Sequence, residues 1–144
     1  MPQPELDRLV AIGRLEAEPR NDHEFKNLVH EAEVTLADAK NADLALESRF
    51  RLAYGAVHAI AVAALRWYGY RPRDRQVAFL ALAHTLAAPS PVWRMLAKSH
   101  ELRNRREYEG AGEIDPHVLA EIIEAGAPLL EALRKLGSGG RESR

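Results

Sequence analysis

From Leu44 to about Gly69 the chain carries an apolar stripe at Leu46, Phe50, Ala53, Tyr54, Val57, Ile60, Ala61, Ala64, Leu65 and Tyr68, with further alanines on its flanks. Steps of three and four sustained over that length fit an α-helix, and flanking alanines let other helices approach it on several sides. The segment therefore predicts a buried central helix around which the rest of the chain packs. Gly69 and the Arg71-Pro72 step end it, because a residue before proline is pushed out of the α region.

The remaining periodicity is also helical. Leu6, Leu9, Val10, Gly13 and Leu15 follow a loose helical spacing after Pro4, and Pro19-Arg20-Asn21 closes that segment. Asp22 reads as the N-cap of a stronger helix whose face is Phe25, Leu28, Val29, Ala32, Leu36 and Ala39, broken by Asn41-Ala-Asp43. Arg73 and Asp74 open a helix from Val77 to Ala87, closed by Pro89-Ser-Pro91, and another runs from Val92 to Glu109 and stops at Gly110-Ala-Gly112. Asp115 caps the last helix, with Pro116 at its first position, Val118, Leu119, Ile122, Ile123, Leu129, Leu130, Leu133 and Leu136 on its apolar face, and a kink expected at Pro128. No stretch alternates with period two for long enough to predict a strand. The expected fold is all-α, an antiparallel helical bundle with two long central helices and shorter accessory ones, forming one domain over residues 1–136 with a flexible polar tail at 137–144.

Length and composition narrow the function. A chain of 144 residues is long enough to bury one core without disulfides, and it contains no cysteine, which removes thiolate metal sites and cysteine nucleophiles. No secretory leader is legible at the N-terminus, and the run Ala53 to Leu65 is too short to cross a bilayer, so a cytoplasmic protein without membrane contact is expected. A formal net charge of −1 argues against a surface that grips nucleic acid everywhere, but leaves room for a local patch. Zinc-protease spacing, glycine-rich phosphate loops and the nucleophile elbow are absent. His58 and His84 lack an acidic partner at ligand spacing and read as packed histidines, so neither a metal nor another cofactor is expected.

Two stretches carry polar chemistry. Arg66-Trp-Tyr-Gly-Tyr-Arg-Pro-Arg-Asp-Arg75 interleaves arginines with aromatic rings, a combination that holds phosphates and stacks bases; Arg66, Arg71, Arg73, Arg75 and, further on, Arg106 are the candidate nucleic-acid contacts. The bland alternative has the rings cover the end of the bundle and the arginines satisfy the last carbonyls. In the second stretch, His100 to Gly110, the residues His100, Arg103, Asn104 and Glu107 share one helix face. A guanidinium fork, an amide and an imidazole together suit binding and cleavage of a phosphodiester. Tyr108 joins that face only where the helix ends or a second subunit contributes. The competing reading pairs Arg103 with Glu107 and Arg105 with Glu109 in a solvated helix end.

On Phe50-Arg-Leu-Ala-Tyr-Gly-Ala-Val-His58, Ala64-Leu-Arg-Trp-Tyr-Gly-Tyr-Arg71 and the pair Arg103-Asn104 near the end of a late helix, the chain resembles the HEPN superfamily of small all-α bundles, over roughly Asp22 to Leu136. The resemblance implies a homodimer whose two motifs line one cleft. It implies a metal-independent RNase site built from an arginine, the polar residue after it and a histidine four to six positions beyond the arginine, and membership of toxin-antitoxin or defence systems. Arg103 and Asn104 match; Tyr108 stands where the histidine is expected. A phenol with a pKa near 10 is a poor base at neutral pH. Some family members are modified on a tyrosine by a partner nucleotidyltransferase, and Tyr108 is offset from that position.

The expectation is thus a HEPN-like homodimer that binds RNA, a nucleotide or a protein partner, such as a nucleotidyltransferase or an antitoxin, through Arg103, Asn104 and Tyr108, with little or no RNase activity. One alternative is a metal-independent endoribonuclease toxin using His100 or Tyr108 for proton transfer. The other is a structural interaction module without a ligand.

Overall fold

The computed structural model describes the backbone of residues 3–108 and 114–142 and the side chains of residues 3–103 and 114–138. Among these residues the elements run α1 (Pro4–Ala11), β1 (Leu15–Ala17), α2 (Asp22–Ala39), α3 (Leu46–Tyr68), β2 (Tyr70–Pro72), α4 (Arg75–Leu80), α5 (Leu82–Thr85), α6 (Ser90–Tyr108) and α7 (Pro116–Glu142). The fold is an all-α bundle with one small two-stranded sheet. Helix α3 is its axis. It packs most extensively against α2, then against α7, and also touches α4, α5 and α6.

The apolar stripe accounts for that position. Phe50, Ala53, Tyr54, Val57, Ile60, Ala61, Ala64 and Leu65 are buried, and so are the flanking Ala56, Ala59 and Ala63, which is why α3 takes neighbours on several sides. Close approach is pronounced where α7 crosses: a Cβ added at Gly126 would lie 3.0 Å from a δ-carbon of Leu36 and 3.5 Å from Val57. Gly69, at φ 90° in the left-handed region, ends α3 and turns the chain into β2.

The first helix is shorter than its spacing predicts. It ends at Ala11, Gly13 at φ 80° reverses the chain, and Leu15 lies in β1. β1 pairs antiparallel with β2, Leu15 opposite Pro72 and Ala17 opposite Tyr70. Three residues give no visible alternation, so period two could not reveal these strands, and Leu15 is buried through the sheet. Asn21, one residue before the expected Asp22, is the N-cap of α2, because Asn21 has the extended backbone and its side-chain oxygen accepts from the Glu24 N–H at 2.9 Å.

Asp74 caps α4, accepting from the Val77 N–H at 2.8 Å. The expected Val77–Ala87 helix is divided into α4 and α5 and ends at Thr85; Ala87 has φ 54°, and the Ala88 N–H returns to the Leu82 carbonyl. Pro128 sits inside α7 without dividing it. α7 also continues to Glu142, through residues expected in the polar tail. Gly137, where that low-propensity segment begins, packs on the Phe25 ring of α2, and an added Cβ would lie 3.0 Å from it.

Candidate phosphate-binding corner

Two residues one turn apart on α3, Tyr54 and His58, face α4 and α6. The ring of Tyr54 is only 3% exposed. His58 stacks beside it, centroids 6.2 Å apart and planes within 3°, and Phe79 of α4 meets both rings edge-on at 5.8 and 5.9 Å. An aromatic wall results.

Basic groups gather on that wall from two other helices. The Arg75 guanidinium, in the first turn of α4, lies 5.9 Å from the Tyr54 centroid, and the Arg103 guanidinium of α6 lies 5.6 Å from it. One turn before Arg103, His100 meets the Tyr54 hydroxyl through Nδ1 at 3.0 Å. The cap at Asp74 sets the start of α4 and hence the direction of Arg75, while the three-residue step on α6 places His100 and Arg103 on one face.

The electrostatics follow from this crowding. Burial first, and then the charges of Arg75 and Arg103 and the neighbouring His100, push the His58 imidazole down to about 4. Burial, Arg103 and Arg75 also lower His100, against a weaker opposing pull from Asp74 and Glu101. Near neutral pH both imidazoles are therefore uncharged beside two permanent cations. Such a corner offers hydrogen-bond donors to an anion, while His58, so weak a base, is poorly suited to take a proton from a hydroxyl.

Of the expected site residues, the structure brings His100 and Arg103 together and adds Tyr54, His58 and Arg75. The side chains of Asn104, Arg106 and Tyr108, together with the Gly110-Ala-Gly112 stop, lie outside the described residues. The arginine-aromatic stretch divides. Arg66 is a correction, since it is 0% exposed: Nε donates to Glu24 Oε1 at 2.7 Å, and the terminal nitrogens donate to the carbonyls of Glu18, Pro19 and Tyr70. It locks the end of α3 to the segment before α2 and presents nothing to a nucleic acid. Arg71 donates to both Glu18 and Glu24, and Arg73 lies 3.1 Å from Glu16, so these two are committed to ion pairs beside the sheet. Hydrogen bonds from Arg66 and Arg71 hold Glu24 below the usual carboxylate range; that from Arg71 does the same for Glu18. Trp67 packs on Phe25 at 5.0 Å under the Arg20 guanidinium at 3.9 Å, and Tyr70 donates to Asp7, so this stretch serves mainly as a cover for one end of the bundle.

His84 is exposed on α5, and among the described residues no group of three His, Cys, Asp or Glu side chains is arranged to hold a metal. Tyr54 and His58 carried a usable signal: an i, i+4 pair of polar aromatics on an otherwise apolar stripe. Nothing in the sequence said that the face carrying them would meet Arg75 and Arg103. In comparisons with known proteins, no family model matches the chain and no curated protein matches it.

Proposed function

We propose that the corner formed by Tyr54, His58, Arg75, His100 and Arg103 binds a phosphate group of RNA or of a nucleotide, and that the protein has little or no RNase activity. The observation that carries this reading is the convergence of two guanidiniums, from α4 and α6, on one buried tyrosine ring whose hydroxyl meets His100. Arginine forks suit phosphate oxygens, and an apolar wall strengthens their field by excluding water. The resemblance to HEPN bundles supports the same reading, with Asn104 and Tyr108 as further contacts, two copies of the chain facing each other across a cleft, and a role in a toxin-antitoxin or defence system.

Anisotropy of a labelled short RNA tests it. Wild type should bind, and Arg75→Gln or Arg103→Gln should each weaken binding about 10- to 100-fold, the loss of one charge-assisted hydrogen-bonding group. Equal affinity for all three proteins, or none for any, counts against the ligand.

A second reading, a metal-independent endoribonuclease, is favoured by one observation: His100 is a neutral imidazole already in a hydrogen bond at the site. It requires cleavage that persists in chelator and vanishes in Arg103→Ala. Intact RNA after prolonged incubation with concentrated protein removes it.

A further inference from the structure

We infer that this corner takes up a proton together with its anion, so that phosphate binding and protonation of His58 form one coupled event; the inference rests on the reading that a phosphate binds here.

The geometry supplies the coupling. His58 lies against Tyr54, and the same ring carries the guanidiniums of Arg75 and Arg103 within 6 Å of its centroid. Protonating His58 therefore puts a third positive charge beside two that cannot be discharged. An anion between them removes the conflict and turns the new cation into a further donor. Because linkage is reciprocal, a ligand that makes protonation easier is itself bound more tightly by the protonated form.

The charged and titratable groups around the imidazole, among the described side chains, agree on the sign. On α3 the neighbour is the Tyr54 hydroxyl, on α4 it is Arg75, and on α6 they are His100 and Arg103; the three basic groups all oppose a charge on His58. The nearby acids, Asp74 at the cap of α4 and Glu101 on α6, act on His100. Free protein near neutral pH thus holds His58 uncharged, with its midpoint at about 4, and leaves the whole acid side of neutrality open for ligand-driven uptake. This differs from ordinary salt-dependent phosphate binding, in which affinity changes little between pH 7 and 5.

An oligothymidylate without terminal phosphates is a suitable probe, since it has no 2′-hydroxyl to be cleaved and no group of its own that titrates in the range used. Its affinity for the full chain is measured at constant ionic strength from pH 7.5 down to pH 5. If binding raises the proton affinity of His58 about a hundredfold, the oligonucleotide binds roughly tenfold tighter at pH 5 than at pH 7. His58→Gln should flatten this dependence. In wild type the His58 ring resonances should titrate at a higher pH with the oligonucleotide than without it, a readout that needs no variant. Binding that weakens in Arg75→Gln but is independent of pH, with an unmoved His58 midpoint, overturns the coupling and leaves the phosphate site standing. Absence of binding at every pH, or binding unaffected by Arg75→Gln, overturns the site and the inference with it.

Discussion

Tyr54 is almost completely buried, yet it bears the most polar contacts of the aromatic wall: a hydroxyl on His100 and two guanidiniums around its ring. Its hydroxyl orients one imidazole, and its ring gives both arginines an apolar support. Tyr54→Phe keeps the ring and removes only the hydroxyl, so stability should fall by about 1 kcal/mol while RNA affinity drops roughly three- to tenfold; paired denaturation and anisotropy measurements separate the two. An unchanged affinity would mean that His100 needs no orienting partner. At this scale the sequence was partly legible. His100 and Arg103 stand out because they are polar and share a helix face. His58 reads as a packed histidine, and stacking on Tyr54 is indeed packing. What its surroundings add is two cations brought from distant positions, and charge from distant positions leaves no mark on local spacing.

At the scale of elements, helices were legible wherever an apolar face persisted for several turns. The short sheet was not, because three-residue strands have too few positions to alternate. What anchors that sheet is Arg66, the residue whose role differs most from its sequence-based reading. It occupies a position on α3 where a hydrophobic residue would otherwise be buried, and it offsets its own desolvation with Glu24 and three backbone carbonyls from both sides of the sheet. Removing Arg66 strips those three carbonyls of a donor and empties a buried site, while Glu24 keeps its bond from Arg71. Arg66→Ala should therefore lower the unfolding free energy by about 3 kcal/mol, roughly 1 kcal/mol for each carbonyl left without its donor, seen as a fall in denaturant midpoint. Arg73→Ala, which removes only a pair in which both side chains are about half exposed, should change it by about 1 kcal/mol or less. Similar losses for the two variants would contradict the assignment of Arg66 as the clamp.

For the whole molecule, a partly buried histidine and two ion-paired carboxylates combine into one pH profile. His58 has a midpoint depressed to about 4 in the folded chain, so the unfolded chain binds the proton more readily. Its contribution is fully present above the ordinary histidine value and is lost as pH falls toward that folded midpoint; roughly 2 kcal/mol should be gone by about pH 5. Glu18 and Glu24 are also depressed, and their contribution is lost at lower pH, as it falls below the ordinary carboxylate range through their folded midpoints. Thermal melts should thus show a first decline between about pH 6.5 and 4.5, reduced in His58→Gln, and a second below it. A flat profile to pH 4.5 would contradict a His58 imidazole held neutral by its surroundings. The bundle itself was legible from periodicity. The corner was not, since it exists only where three helices meet, and its charge balance depends on which helix faces α3 brings together.

The central claim is that this meeting point holds a phosphate. Its most direct measurement is an NMR titration of the histidine ring and arginine Nε–H resonances with a short RNA near neutral pH. Saturable shifts concentrated on His58, His100, Arg75 and Arg103, with Arg66 and Arg71 unmoved, are the expected result. Resonances of the corner that stay in place while RNA is added, or shifts confined to other histidines such as His23, His30 and His84, would contradict it.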